Sequence, residues 1–415
     1  MTIVVHADQL LDGSGGPPVS DAVVHVAADQ ISYAGPADQA PPVPAPEQVL
    51  RFPGGCLLPG LIDCHAHPVP FPRGAGPDNG WATHLAVLRA VSSLQAALRS
   101  GITTIRDCGA PYAASFAVRQ ALADGVINGP RLVVAGPPLC PTGGHGHYGG
   151  GECDGVDGVR SKVREVFKAG ADFIKVTATG GGTPGTLRHR ATFTVDELRV
   201  AVDEAARRDS YVTAHCHAIE GIRHCLDAGV PMLEHATFVA PDGIERFDPD
   251  LGARIRDAGT IVVPTVEVHA RWLRDHAPDG SDVPPEEQAV WARRRDSSER
   301  RLEVVHHLHE LGVPLLVGSD AGLGRSYPAP FDDLALEIEL FVQAGVPPAM
   351  AIAGATGAAA TALGIDAQTG RLAAGLSADL LAVPGDPLAD VTVLARPSLV
   401  MHRGQVVTAA PAHPG

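Results

Sequence analysis

The stretch CLLPGLIDCHAH, Cys56 to His67, is an apolar run that ends in two histidines separated by one residue. Side chains alternate faces along a β-strand, so residues i and i+2 point the same way. His65 and His67 therefore project together from one strand end. A pair of this kind makes a metal site only if the rest of the chain supplies further ligands.

Similar runs recur along the chain. They are GITTIRDC (101–108), RLVVAGPPL (131–139), ADFIKVTAT (171–179), YVTAHCH (211–217), PMLEHAT (231–237), TIVVPTV (260–266) and PLLVGSDA (314–321). Each is followed by a loop, and helical patterns lie between, as at 84–100 and 194–209. The second of these opens with Thr194 and carries Glu197 three residues on, a capping box. Near-continuous apolar strands alternating with helices indicate a parallel sheet covered on both faces. Eight such units predict an α/β fold of the (β/α)8 TIM barrel type over residues 57–365. Both chain ends differ in texture. Short β-like runs at 2–6, 22–27 and 30–34, a Pro-rich connection at 36–48, and the segments 378–386 and 397–407 predict a small β-sandwich. It would be built from residues 1–56 and 366–415 together.

The 415 residues carry 32 basic and 47 acidic side chains, a formal charge of 32 − 47 = −15. This balance argues against nucleic acid and anionic membrane surfaces as partners. The first residues lack the basic and apolar regions of a signal peptide, and no apolar segment is long enough to span a bilayer. Seven cysteines, odd in number and without a CxxC, read as reduced thiols of a cytoplasmic protein. Only three basic residues are lysines: Lys162, Lys168 and Lys175. Where lysine does appear, arginine's inability to serve is a reasonable cause.

Chemistry in a barrel sits at the C-terminal strand ends. Polar residues gather there: His65 and His67 on the first run, Lys175 on the fourth, His215 and His217 on the fifth, His235 on the sixth and Asp320 on the eighth. Imidazole nitrogens and carboxylate oxygens suit Zn²⁺ or another borderline divalent ion. A protonated Lys175 cannot bind metal, but burial lowers a lysine pKa, and the neutral amine can add CO₂ to give a carbamate. That two-oxygen anion can bridge two ions. Spacing alone leaves open which of His215 and His217 is a ligand.

These motifs, with PGLIDCHAH, DFIKVTATGG, VTAHCHA, LEHAT, LVGSDAG and the closing GRLAAGLSADLLAVPGDPLAD, resemble the amidohydrolase superfamily of metal-dependent hydrolases. The chain is most similar to its imidazolonepropionase-related branch, which includes Xaa-Pro and Xaa-Arg dipeptidases and ochratoxin-type amidases. The resemblance implies that His65, His67 and Asp320 hold the more buried of two divalent ions, Zn²⁺ first among candidates. It implies that His215 and His235 hold the second, and that N6-carboxylated Lys175 bridges them. It also implies a cytoplasmic homo-oligomer acting on a small molecule. The expected reaction is hydrolysis of an amide or peptide bond in a dipeptide or N-acyl amino acid. A metal-bridging hydroxide attacks, and Asp320 serves as base and then acid. The rival readings are a mononuclear deaminase or cyclic-amide hydrolase on the same fold, and a non-catalytic scaffold.

Loops add candidates. In similar dipeptidases a histidine in a GGHG segment contacts the substrate near the reacting carbonyl, and His145 in CPTGGHGHYGGGE (140–152) matches it. His147 is an extra. His217 is read as a contact behind the ligands, a substrate contact or a plain loop residue. Arg188, His189 and Arg190 are candidates for a substrate carboxylate, which arginine forks match well, with Arg325 and Tyr327 as rivals. Gly180-Gly181-Gly182 lacks the Lys-Ser/Thr ending of a phosphate loop. Cys64 and Cys216 are expected as small buried hydrophobes. His306, His307 and His309 are expected on a helix surface.

Overall fold

The computed structural model describes residues 2–71, 80–276, 285–322 and 331–409. Its strands are β1 (Thr2–Leu10), β2 (Val19–Ala27), β3 (Gln30–Pro36), β4 (Gln48–Pro59), β5 (Leu61–Ala66), β6 (Ile102–Asp107) and β7 (Arg131–Val134). They continue as β8 (Ile174–Thr177), β9 (Val212–Ala218), β10 (Met232–Val239), β11 (Ile261–Val263), β12 (Leu380–Pro384), β13 (Leu399–His402) and β14 (Gln405–Ala409).

Both chain ends meet in one seven-stranded sheet, ordered β14-β13-β12-β4-β1-β2-β3. Strand β4 is the junction. It runs parallel to β1 and antiparallel to β12, with Leu58 opposite Leu381 and Cys56 opposite Val383. Ile3, Val5, Leu10, Leu57, Leu380, Leu399 and Met401 share one core there. The chain passes from this sheet into β5 through Gly60, where a Cβ would lie 2.2 Å from Thr103 Oγ1. Only glycine lets the handover pass this close to β6.

The middle of the chain is mixed α/β. Strands β5-β6-β7 form one parallel sheet and β8-β9-β10-β11 another. Single parallel bridges link them: Leu139 with Val176, Val262 with Leu315, and Ala321 with Ala66. The eighth run, expected as a strand, has no regular ladder. The Cys64 N–H donates to Val317 O and the Asp320 N–H to His65 O at 2.7 Å. Its end turns out of extended backbone, since Asp320 has φ +55°.

The helices expected at 84–100 and 194–209 are Gly80–Arg99 and Val195–Ala206. The capping box is present: the Glu197 N–H donates to Thr194 Oγ1, and the Thr194 N–H donates to Glu197 Oε2 at 2.8 Å. Cys64 and Cys216 are fully buried in apolar clusters, and all seven thiols are free. His306 and His307 lie exposed on the 26-residue helix Pro285–Glu310, which also carries His309. Among the described residues no helix is long and apolar enough to cross a membrane.

Candidate metal centre

The C-terminal ends of β5, β8, β9 and β10 and the run 314–321 converge on one cavity of about 210 Å³. His65, His67, Lys175, His215, His235 and Asp320 line it, as do His145, His217 and Arg188. A larger cavity of about 1260 Å³ lies at the opposite ends of the strands, beside Arg131, Asp172 and Tyr211. None of the candidate ligands borders that one.

Hydrogen bonds fix the state of the first pair of imidazoles. His67 Nδ1 lies 2.9 Å from Gly109 O, an acceptor only, so His67 Nδ1 must carry the proton. His65 Nδ1 lies 2.5 Å from Glu234 Oε2. Burial opposes charge on Glu234, but Arg106, 2.7 Å away, and Lys175 hold its carboxyl well below the usual range. Glu234 is therefore a carboxylate, and His65 donates to it. Each ring then turns Nε2 toward Asp320 Oδ1, at 3.3 Å in both cases. Asp320 Oδ1 is buried and makes no hydrogen bond among the described residues. Burial disfavours charge on His65, yet Cys108, Glu234 and Asp320 outweigh it and lift its proton affinity well above an ordinary imidazole's. The point between these atoms calls for a positive charge, and a divalent ion supplies it as well as a proton does.

The second group lies beside the first. The ring centroids of His215 and His235 are 4.7 Å apart, and those of His65 and His235 are 4.9 Å apart. His235 Nδ1 is 2.7 Å from Thr265 Oγ1. His215 Nε2 is buried without a hydrogen-bond partner among the described residues. Burial pushes the pKa of both imidazoles well below the ordinary value, which keeps them in the neutral, ligating form. Lys175 is buried between the groups, and no hydrogen bond or ion pair to its Nζ occurs among the described residues. The donor set of imidazoles, carboxylate and lysine fits a divalent-ion centre, with His65, His67, His215, His235 and Asp320 as the atoms available to hold it. Backbone strain helps to aim them, since His235 and Asp320 have φ of +69° and +55°.

Of the other candidates, His145 Nδ1 meets Thr183 at 2.8 Å, and its ring lies 4.5 Å from that of His215. His217 likewise sits 4.5 Å from His215. His147 packs on Tyr148 and does not line the cavity, and Arg190 is exposed. Arg325 and Tyr327 lie outside the described residues.

Several site residues escaped the sequence reading. Glu234 and Arg106 form a fully buried pair behind His65, completed by the Thr213 hydroxyl and by Arg106 Nε donating to Cys64 O. Asp63 Oδ1 accepts the N–H groups of His65 and Ser319, at 3.1 Å each, and so ties β5 to the Asp320 segment. Arg301, His269, Phe71, Tyr148 and Val268 complete the cavity wall. The available signal was charge inside apolar strand runs, as in LIDC, TIRD and MLEH.

A parallel α/β framework with imidazoles and a carboxylate gathered at strand ends defines a class of metal-dependent enzymes. The sequence model of the Amidohydrolase family matches residues 56–407, and the chain belongs to that family. It is 30% identical to ochratoxinase of Aspergillus niger over 437 aligned positions, spanning 96% of this chain and 84% of that protein. It is 25% identical to imidazolonepropionase of Rhizorhabdus wittichii over 406 positions, 89% of each chain. A solved Xaa-Pro dipeptidase with methionine in its active site superposes with a TM-score of 0.83 at 26% identity, covering 98% of this chain and 99% of that one. The protein is a hydrolase acting on carbon–nitrogen bonds.

Proposed function

We propose that the protein is a binuclear metal-dependent amidohydrolase that cleaves an amide or peptide bond in a small substrate of the dipeptide or N-acyl amino acid type. The observation that carries this reading is the meeting of His65 Nε2, His67 Nε2 and Asp320 Oδ1. Each imidazole Nε2 lies 3.3 Å from the buried Asp320 Oδ1, which makes no hydrogen bond among the described residues. His65, His67 and Asp320 hold one ion and His215 and His235 the other, with Zn²⁺ as the first candidate. Lys175 bridges them as its carbamate. The buried ammonium cannot ligate a metal ion, whereas the carbamate turns the same position into an anionic ligand.

Bound divalent ions lower the pKa of water and polarise a carbonyl. Asp320 accepts the proton of the attacking water and returns it to the leaving amine. His145 contacts the substrate beside the reacting carbonyl. Likeness to a Xaa-Pro dipeptidase supports a carbon–nitrogen bond next to an amino acid.

The same reading closes the eight runs into a (β/α)8 barrel over 57–365, through the single bridges at Leu139, Leu315 and Ala321. It takes 1–56 with 366–415 as a composite β-sandwich domain, and the enzyme as a cytoplasmic homo-oligomer.

Metal content with a substrate panel of dipeptides, N-acyl amino acids and lactams tests the proposal. About two ions per chain and turnover of an acyclic amide are expected. About one ion per chain, with Lys175→Ala fully active, refutes the binuclear reading and favours a mononuclear deaminase or cyclic-amide hydrolase. No turnover of any panel member by metal-loaded protein favours a scaffold.

A further inference from the structure

One ring atom of each of His215, His217 and His235 lies within 4.8 Å of the other two, an arrangement that looks like a three-histidine metal site. The hydrogen bonds at the back of each ring separate these residues. A guanidinium only donates, and Arg188 Nη2 lies 3.3 Å from His217 Nδ1. His217 Nδ1 is therefore the accepting nitrogen, with the Thr237 hydroxyl 2.9 Å away as a second donor. The proton of the ring must then sit on Nε2. His145 is held the same way. The Thr183 backbone N–H donates to its Nδ1 at 3.3 Å. The Thr183 hydroxyl oxygen accepts from the Gly146 N–H at 3.0 Å, which leaves its own proton for the ring. The rings of His65 and His67 are the reverse, with Nδ1–H given to an acceptor and an Nε2 lone pair facing the cavity.

We infer that His217 is a substrate-binding residue that donates Nε2–H to an anionic oxygen of the substrate, a carboxylate, and is not a metal ligand. Arg188 is the positioning residue that holds it in this state. His145 and His217 each lie 4.5 Å from the His215 ring and are then two N–H donors for two substrate oxygens. The anionic character follows from the surroundings. Arg188 and Arg301 both line the cavity, and both lean on Glu245, at 3.4 and 3.2 Å. Glu245 does not itself border the cavity, so the guanidiniums face the substrate and their carboxylate lies behind them. Phe71, Tyr148 and Val268 supply an apolar wall for the group that bears the carboxylate. This inference rests on the metal-centre reading above, and it assigns to His217 the carboxylate that a dipeptide or N-acyl amino acid carries beside the scissile bond.

The test has two readouts, neither of which needs turnover. Ions per chain are measured on metal-loaded wild type, His217→Ala and His215→Ala. Binding of 3-phenylpropanoate against 3-phenylpropanol is measured by calorimetry on wild type, His217→Ala, His217→Gln and Arg188→Met. His217→Ala keeps the wild-type ion content, whereas His215→Ala loses about one ion. Wild type prefers the acid by about 10- to 100-fold, the worth of a charge-assisted hydrogen bond. His217→Ala and Arg188→Met lower that preference by about tenfold, and His217→Gln, which keeps a side-chain N–H, retains most of it. Loss of metal from His217→Ala to the extent seen in His215→Ala overturns the inference. So does a preference for the acid that survives both His217→Ala and Arg188→Met, since the carboxylate would then sit on the metals. If His217→Ala does not fold, His217→Gln carries the ion count and Arg188→Met the binding preference. Protein that gives the expected binding pattern but hydrolyses nothing in the panel refutes the proposed reaction and leaves this inference standing.

Discussion

Glu234 and Arg106 offer the sharpest test of how the centre is held. Both side chains are fully buried, and Glu234 serves Arg106 Nη2 at 2.7 Å, His65 Nδ1 at 2.5 Å and the Thr213 hydroxyl at once. Glu234→Gln strips the charge from the partner of His65 and leaves the Arg106 guanidinium buried without a counter-ion. The first effect weakens metal binding by about 10- to 100-fold, the usual cost of losing a carboxylate behind a ligating histidine. The second destabilises the apoprotein by about 3–5 kcal/mol, because an unpaired buried charge keeps its full desolvation penalty. Arg106→Met carries a similar stability cost by the converse route. The double variant Glu234→Gln/Arg106→Met buries no charge at this place. Its denaturation midpoint should recover above that of either single variant, while its metal affinity stays low, because His65 still lacks an anionic partner. Chelator competition reads the affinity, and urea unfolding of metal-free protein reads the stability. Metal binding by Glu234→Gln as tight as wild type would refute the reasoning. So would a double variant whose stability loss is the sum of the singles, since the two charges would then not be compensating each other.

Three further outcomes follow from particular contacts. Lys175→Ala should lose about one ion per chain, and added propionate, a carboxylate small enough for the vacated space, should restore part of the metal content; full metal retention without propionate counts against the carbamate. Burial pushes the Glu337 carboxyl up to about 8, so it stays protonated in the fold while the unfolded chain ionises near the ordinary 4.5. Its contribution is complete below pH 4.5 and is lost as pH rises toward 8, and urea midpoints should fall across that window less steeply in Glu337→Gln. A Cβ at Gly318 would lie 2.7 Å from His65 Cβ and 2.8 Å from His65 N, so Gly318→Ala should lower metal content with little change in far-UV circular dichroism; unchanged metal content would show that His65 can shift without cost.

The candidate ligands were legible because two periodicities overlap in the sequence. Alternation along a strand put His65 with His67 and His215 with His217, and the ends of apolar runs marked where each group would emerge. The joining of the chain ends in one sheet was readable from matching β-like texture, and β4 and β12 realise it through Leu58 and Leu381. The rarity of lysine singled out Lys175, which lies buried in the wall of the cavity.

Other features depended on contacts between residues far apart in the chain. Spacing could not separate His215 from His217, because the difference lies in what stands behind each ring. For His217 that is Arg188, 29 positions away. Glu234 and Arg106 read as stray charges in strand runs, and only packing across 128 positions makes them a support for His65. The eighth run looked like a strand by composition, yet the left-handed turn at Asp320 and the close approach at Gly318 break its ladder and aim the carboxylate. Local pattern therefore determined which residues reach the strand ends. The proton placement, the buried counter-charges and the aim of each ligand were decided by the tertiary structure, since a hydrogen bond's direction depends on the partner that folding brings to it.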